Sequence, residues 1–278
     1  MIRSSLAASP GRPVSKRENA VAFKLIIRPN QRGLAWQEAF ARRELLYFLI
    51  LRDIKIRYKQ TVLGVAWAVL VPVIQLGIFS VIFGNLAGIK PDGDYPYPLF
   101  VLTGLVPWTF FAQSVTQGGQ SLVNQSQLFT KVYFPRLFVP TGAVGGCIVD
   151  FAIAFGVFAA TIAWYRFTPS WQVVFVPVLV LLTIMASLGA VYLLAALSVA
   201  YRDFRYVIPV MIQVLMYLSP VVYPTTLVPE RYQWMVALNP MAGIIDGFRS
   251  AILGKPWNLS ALLTSVLSTF VLLIVRGL

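Results

Sequence analysis

From Arg52 to Gly84 the chain reads RDIKIRYKQTVLGVAWAVLVPVIQLGIFSVIFG, and alternating charge gives way abruptly to hydrocarbon. Arg52, Lys55, Arg57 and Lys59 crowd the front of this stretch, and Val62 to Gly84 carries no charged residue. About 20 consecutive apolar residues cross the ~30 Å hydrocarbon core of a bilayer as an α-helix. A basic cluster abutting such a span marks its cytoplasmic end, because Lys and Arg are retained on that side during insertion. The whole chain agrees, with 58% hydrophobic and 12% charged residues, against roughly half and a quarter in soluble domains. An all-α, polytopic membrane protein is the expected fold.

Charge and residue usage exclude several function classes. The net charge of +13 is not that of a nucleic-acid-binding surface, since 13 of the 23 Lys and Arg precede Val62. The chain has no histidine, so histidine-based metal sites and His-dependent catalytic dyads are excluded. Its one cysteine, Cys147, sits in an apolar run and cannot pair within the chain. No G-x-x-x-x-G-K-[ST] or other nucleotide cradle occurs, so if the protein moves something against a gradient using ATP, the ATP and Mg are expected on another chain, and no cofactor is expected in this one. Asp92-Gly93-Asp94 resembles a metal-holding carboxylate pair, but a Gly-Asp turn explains it more simply.

Residues 1–30 are polar and broken by Pro10, Pro13 and Pro29, which predicts a cytoplasmic tail rather than a cleaved signal peptide. Residues 31–278 form the transmembrane domain. Between Trp36 and Tyr58 the spacing of Trp36, Phe40, Tyr47, Ile50 and Ile54 predicts an amphipathic helix, with Arg42, Arg43, Glu44, Arg52 and Asp53 on other faces. Such a helix either lies in the membrane interface or packs on a partner subunit. Spans are expected at about 63–83, 98–113, 138–164, 175–198, 207–222 and 259–275. Residues 114–136, rich in Gln, Asn, Ser and Gly, are expected as an inner loop with helical character. Gly142, Gly146, Asp150 and Ala154 recur every four residues and share one helix face. Asp150 is the one acid squarely inside a span, and it either lines a polar pathway or bonds a neighbouring helix. Asn239-Pro240 reads as an N-cap followed by proline at the first helical position. Met241, Ile244, Ile245, Phe248 and Ile252 then form an apolar stripe opposed by Asp246 and Arg249, which predicts a short re-entrant helix on the outer side. With both termini inside, 18 Lys and Arg fall on the inner side and 5 on the outer, as the positive-inside rule requires.

The block RRELLYFLILRDIKIRYKQTVLGVAWAVLVPVIQLGIFSVIFGNLAGI resembles the N-terminal signature of type-2 ABC exporter permeases for lipid-linked polysaccharides. Matching pieces follow in order: PYPLFVLTGLVPWTFFAQ, LFTKVYFPRLFVP, SVAYRDFRYVIPVMIQVLMYLSPVVYP and LNPMAGIIDGFRSAILG. The R-D-I-K-x-R-Y block with its downstream L-G-x-x-W is the most specific part.

That resemblance implies a homodimer in the bacterial inner membrane, paired with two copies of a separate nucleotide-binding ATPase. The implied substrate is a glycan on undecaprenyl pyrophosphate, most closely the O-antigen of lipopolysaccharide. The helix before the first span becomes a gate or interface helix whose Arg43, Arg52, Lys55 and Arg57 meet the lipid pyrophosphate. The segment holding Lys131, Tyr133 and Arg136 becomes the coupling element on the ATPase, with Arg202, Asp203 and Arg205 as a second contact. A polymer threads through a continuous channel more readily than through an alternating pocket, and flat aromatic faces suit sugar C–H groups. Trp67, Trp108, Phe110, Phe111, Asp150 and Tyr217 are the lining candidates, with an interfacial aromatic belt as the other reading of the rings. An exporter of a drug or small lipid in the same superfamily would share the architecture.

Overall fold

The computed structural model describes residues 43–59, 66–125 and 137–275. Among these residues the regular elements are all helical. In chain order they are α1 (Arg43–Lys59), α2 (Ala66–Phe79), α3 (Tyr97–Asn124), α4 (Phe138–Trp164), α5 (Val176–Ala200), α6 (Phe204–Leu218), α7 (Glu230–Ala237), α8 (Pro240–Leu253) and α9 (Leu259–Val275). A π-helical segment, Ser80–Leu86, extends α2, and a 3-10 turn, Trp171–Phe175, leads into α5. Four helices are long and apolar enough to cross a bilayer: α2 with its π extension, α3, α4, and α5 with its leading turn. Two more, α6 and α9, are apolar but shorter, at 15 and 17 residues.

The middle of the bundle is α3, buried for most of its length among α4, α5, α6 and α8. Here the structure corrects the sequence reading. The helix does not end near 113; it runs unbroken to Asn124, so residues 114–124 are helix and not loop. The polar residues expected to break it are satisfied within it. Thr116 Oγ1 donates to the Ala112 carbonyl at 2.8 Å, and Ser121 Oγ donates to the Gly118 carbonyl at 2.6 Å. Gly118 and Gly119 lie directly under Val191 and Ile208, so neighbouring helices close on this half as tightly as on the apolar half.

The charged front of α1 is also arranged differently from the expected stripe. Leu49 is buried and Ile50 half-buried against α4, but Asp53 and Arg57 turn inward beside them, while Tyr47, Phe48 and Ile56 are exposed. The reason lies across the contact. A Cβ on Gly145 would sit 2.6 Å from the Ile50 side chain, so glycine there lets the two helices approach this closely without moving Ile50. With the helices that close, Asp150 comes within reach of Arg57. A polar face then gains more from facing protein than from facing solvent.

At the other end of the bundle, α8 is enclosed on every side, with Asp246 and Arg249 as buried as the apolar stripe opposite them. Asn239 caps it, accepting from the Met241 N–H at 3.0 Å, and Pro240 takes the first helical position. The Arg249 guanidinium lies 3.8 Å from the Phe100 ring centroid and donates to the Val221 carbonyl at 2.8 Å. Lys255 Nζ joins Asp246 at 3.0 Å and Asp92 at 3.1 Å, so Asp92 ties the α2–α3 hairpin to α8. Burial disfavours the Lys255 charge, but these two carboxylates outweigh it and hold the ammonium above its ordinary pKa. Gly243 presses α8 onto α9: a Cβ there would collide with the Ala261 carbonyl and the Ser265 hydroxyl. Gly243→Ala is expected to cost about 1–3 kcal/mol through overpacking and to lower the thermal midpoint in lipid discs. An unchanged midpoint would show that α8 and α9 are not in this contact.

Candidate functional site

Two cavities meet at Arg57. The first, of about 630 Å³, is walled by α1, α2, α3, α4 and α6. Trp67 stands on α2, Trp108 and Phe110 on α3, Phe151 on α4, and Met216 on α6. Between the rings stand four amides, Gln75, Gln113, Gln117 and Gln213. An amide both donates and accepts, so four of them among flat apolar faces can meet a polyhydroxylated ligand in many registers without a single deep trap. The second cavity, of about 710 Å³, lies towards the α1 end and has no aromatic ring among its lining residues. Arg52, Asp53 and Arg57 face Gln117, Gln120, Asn124 and Gln125 across it.

Arg57 and Gln117 line both cavities, and the contacts at Arg57 form the partition between them. The guanidinium bonds Asp150 and Gln117, and reaches the Gly146 carbonyl at 3.3 Å and Cys147 Sγ at 3.7 Å. Tyr58 donates its hydroxyl to the same Asp150 carboxylate. Burial works against the Arg57 charge; Cys147 and Asp150 offset it, and the guanidinium is held above its ordinary pKa. Burial, with the hydrogen bond to Asp150, pushes the Tyr58 phenol up to about 12, so it stays a neutral donor at physiological pH. Further along α1, Arg52 pairs with Asp53 at 2.8 Å and donates to Gln125 Oε1 at 2.6 Å.

The sequence-predicted residues divide unevenly over this geometry. Trp67, Trp108, Phe110 and Asp150 share the first cavity, and Arg57 joins them there. Phe111 lies in the buried core against Trp108, with ring centroids 5.8 Å apart, and does not line it. Tyr217 is exposed on α6 and is not part of its wall. Arg52 and Arg57 line the second cavity, whereas Lys55 is exposed on another face of α1. Arg43 opens α1, and its side chain lies outside the described residues, as do Lys131, Tyr133 and Arg136. Arg202 and Asp203 are exposed in the α5–α6 turn and Arg205 in the first turn of α6, where Gln120 Nε2 donates to the Arg205 carbonyl at 3.1 Å. That bond sets the turn beside the last turn of α3, from which residues 126–136 depart.

Sequence reasoning missed the four glutamines. Their signal was present, since Gln75 and Gln213 interrupt otherwise apolar runs, where a polar side chain has no use for lipid. Gln117 falls in the amide-rich stretch expected as loop, and Gln113 at the very end of the span expected over 98–113.

Comparison with known proteins gives this arrangement its context. Residues 44–253 match the family described as ABC-2 type transporter. An O-antigen export system permease protein, RfbA of Myxococcus xanthus, is 29% identical over 216 residues, 77% of this chain and 82% of that protein. The polysialic acid transport protein KpsM of Escherichia coli is 24% identical over 212 residues, covering 74% and 80%. The inner membrane transport permease YadH of Escherichia coli K12 is 29% identical over 196 residues, covering 66% and 74%. The family match takes in α1 and every helix through α8, the elements that build both cavities and the partition at Arg57, and this chain belongs to the ABC-2 type transporter family.

Proposed function

We propose that this chain is the permease subunit of an ATP-driven exporter that moves undecaprenyl-pyrophosphate-linked polysaccharide, in the first place O-antigen, out of the cytoplasm. The observation that carries the reading is the junction at Arg57. A cavity where Arg52 and Arg57 stand with Asp53 among amides, its guanidinium forks suited to a pyrophosphate, adjoins a cavity of rings and amides, suited to sugars. The RfbA relatives, named for O-antigen export, support the choice of cargo.

In this reading α1 lies on the cytoplasmic side, both termini are cytoplasmic, and two copies of the chain stand face to face. The bare surface of α2, with Trp67, Val71, Ile74 and Ile78 all exposed, supports a second copy there, since two half-channels would then close on one path. The family's transporters draw on ATP. With no nucleotide cradle in this chain, that work falls to two copies of a separate ATPase holding ATP and Mg.

The test is mild-detergent purification of the tagged permease, combined with complementation of a strain defective in O-antigen export. A stoichiometric ATPase with Walker motifs in the eluate, together with restored surface glycan, is the expected result. A permease that purifies alone from native lipid discs, or one that restores drug resistance but no glycan, would overturn the proposal.

A further inference from the structure

A third hollow, of about 450 Å³, lies at the opposite end of the bundle, between α7, α8 and the start of α9. Its size falls within the ~300–1,000 Å³ typical of small-molecule sites. The lining is unlike that of the other two cavities, because among the described residues no Lys or Arg contributes to it. An anionic headgroup would therefore find no counter-charge in its wall.

What the wall offers is acceptors. Thr226 Oγ1 donates its proton to Asp92 at 2.7 Å, Ser260 Oγ to Asn258 Oδ1 at 2.8 Å, and Thr264 Oγ1 to the Ala261 carbonyl at 2.9 Å. With those protons committed, each hydroxyl keeps lone pairs for an incoming O–H donor. Asp246, which borders the hollow, is neutralised by Lys255 and does not make the site anionic. At the rim Trp234 is 61% exposed, a flat apolar face beside a set of acceptors. An acceptor-rich, cation-free pocket with one aromatic platform fits a neutral polyhydroxylated ligand.

We propose that this hollow is a saccharide-binding subsite on the exit side, which holds a short stretch of the emerging glycan after it leaves the channel. The proposal rests on the export reading above. A station there would bias a partly translocated chain against sliding back between ATP cycles.

The experiment uses the permease in lipid discs and the host strain's own surface glycan, freed of lipid and cut to short oligosaccharides, with binding read by saturation-transfer NMR and calorimetry. Trp234→Ala is expected to weaken binding about tenfold or more, as loss of an aromatic anchor does. Asn258→Ala should weaken it too, and Trp164→Ala, which removes an exposed ring that lines none of the three cavities, should leave it unchanged. Thermal melts of each variant separate lost binding from lost folding, and Gln233→Ala serves if Trp234→Ala does not fold. No binding to the parent protein, binding lost in Trp164→Ala but kept in Trp234→Ala, or displacement by glycerol phosphate would each overturn the subsite. Export is judged separately by complementation, so a permease that restores surface glycan without binding oligosaccharide here retires this inference alone.

Discussion

Asp150→Ala is expected to abolish glycan export and to destabilise the permease by about 1–3 kcal/mol. Removing one member of a deeply buried ion pair costs ~3–5 kcal/mol, and exposed pairs contribute at most ~1. The Arg57 and Asp150 side chains are 22% and 17% exposed, which sets this pair between those limits. The loss is not only electrostatic, because Asp150 also accepts from Tyr58, and its removal takes one acceptor from each of two donors on α1. The measurement is a double-mutant cycle on thermal stability in lipid discs, with Arg57→Ala, Asp150→Ala and both together. The double variant should be clearly more stable than the sum of the single losses implies. Additive losses would show that the two side chains do not hold one another. Export should fail in all three, because the partition between the polar and aromatic cavities is gone in each.

Charge reversal at Lys131→Glu or Arg136→Glu is expected to eliminate export while leaving the permease folded in the membrane. Both positions fall between α3 and α4, in the segment that the resemblance assigns to ATPase coupling. The exposed Arg202, Asp203 and Arg205 stand beside the α3 turn from which that segment departs. Opposing like charges across a protein interface costs several kcal/mol, so ATPase association should weaken at least ~100-fold. Permease-stimulated ATP hydrolysis, surface glycan and membrane abundance, measured together, check the result. Normal surface glycan in both variants would remove the coupling role.

The fold class was legible because hydrocarbon runs of this length admit few other solutions. The cap at Asn239-Pro240 was legible because it is a local rule, settled within four residues. What escaped the sequence was decided between helices. Residues 114–124 look like loop by composition, and they are helix because Thr116 and Ser121 bond back to their own turn while Gly118 and Gly119 admit neighbours. The inward face of α1 was hidden for the same reason: Asp53 reads as lying off the apolar stripe and Arg57 as a pyrophosphate contact, and only the close approach of α4 brings Asp150 beneath Arg57. At the site, ring-bearing residues could be picked out singly. Which of them share a wall, as Trp67 and Trp108 do and Phe111 does not, depends on helix rotation, and no short-range pattern encodes that.

The enclosed Arg249 also dictates an order of events during biosynthesis. Its helix is 14 residues long, about 21 Å, too short to cross the hydrocarbon, and a charged side chain cannot wait there unpartnered. The partners arrive on different schedules. Phe100 and Val221 are made before α8 emerges, whereas Lys255, which neutralises Asp246, and the α9 wall that Gly243 presses against are made after it. Until α9 has been synthesised, α8 has no finished berth and must remain at the water boundary. This end of the permease therefore closes only once α9 is made, and a chain truncated just past Leu253 would leave α8 without the Lys255 partner of Asp246 and without the α9 wall that Gly243 presses against.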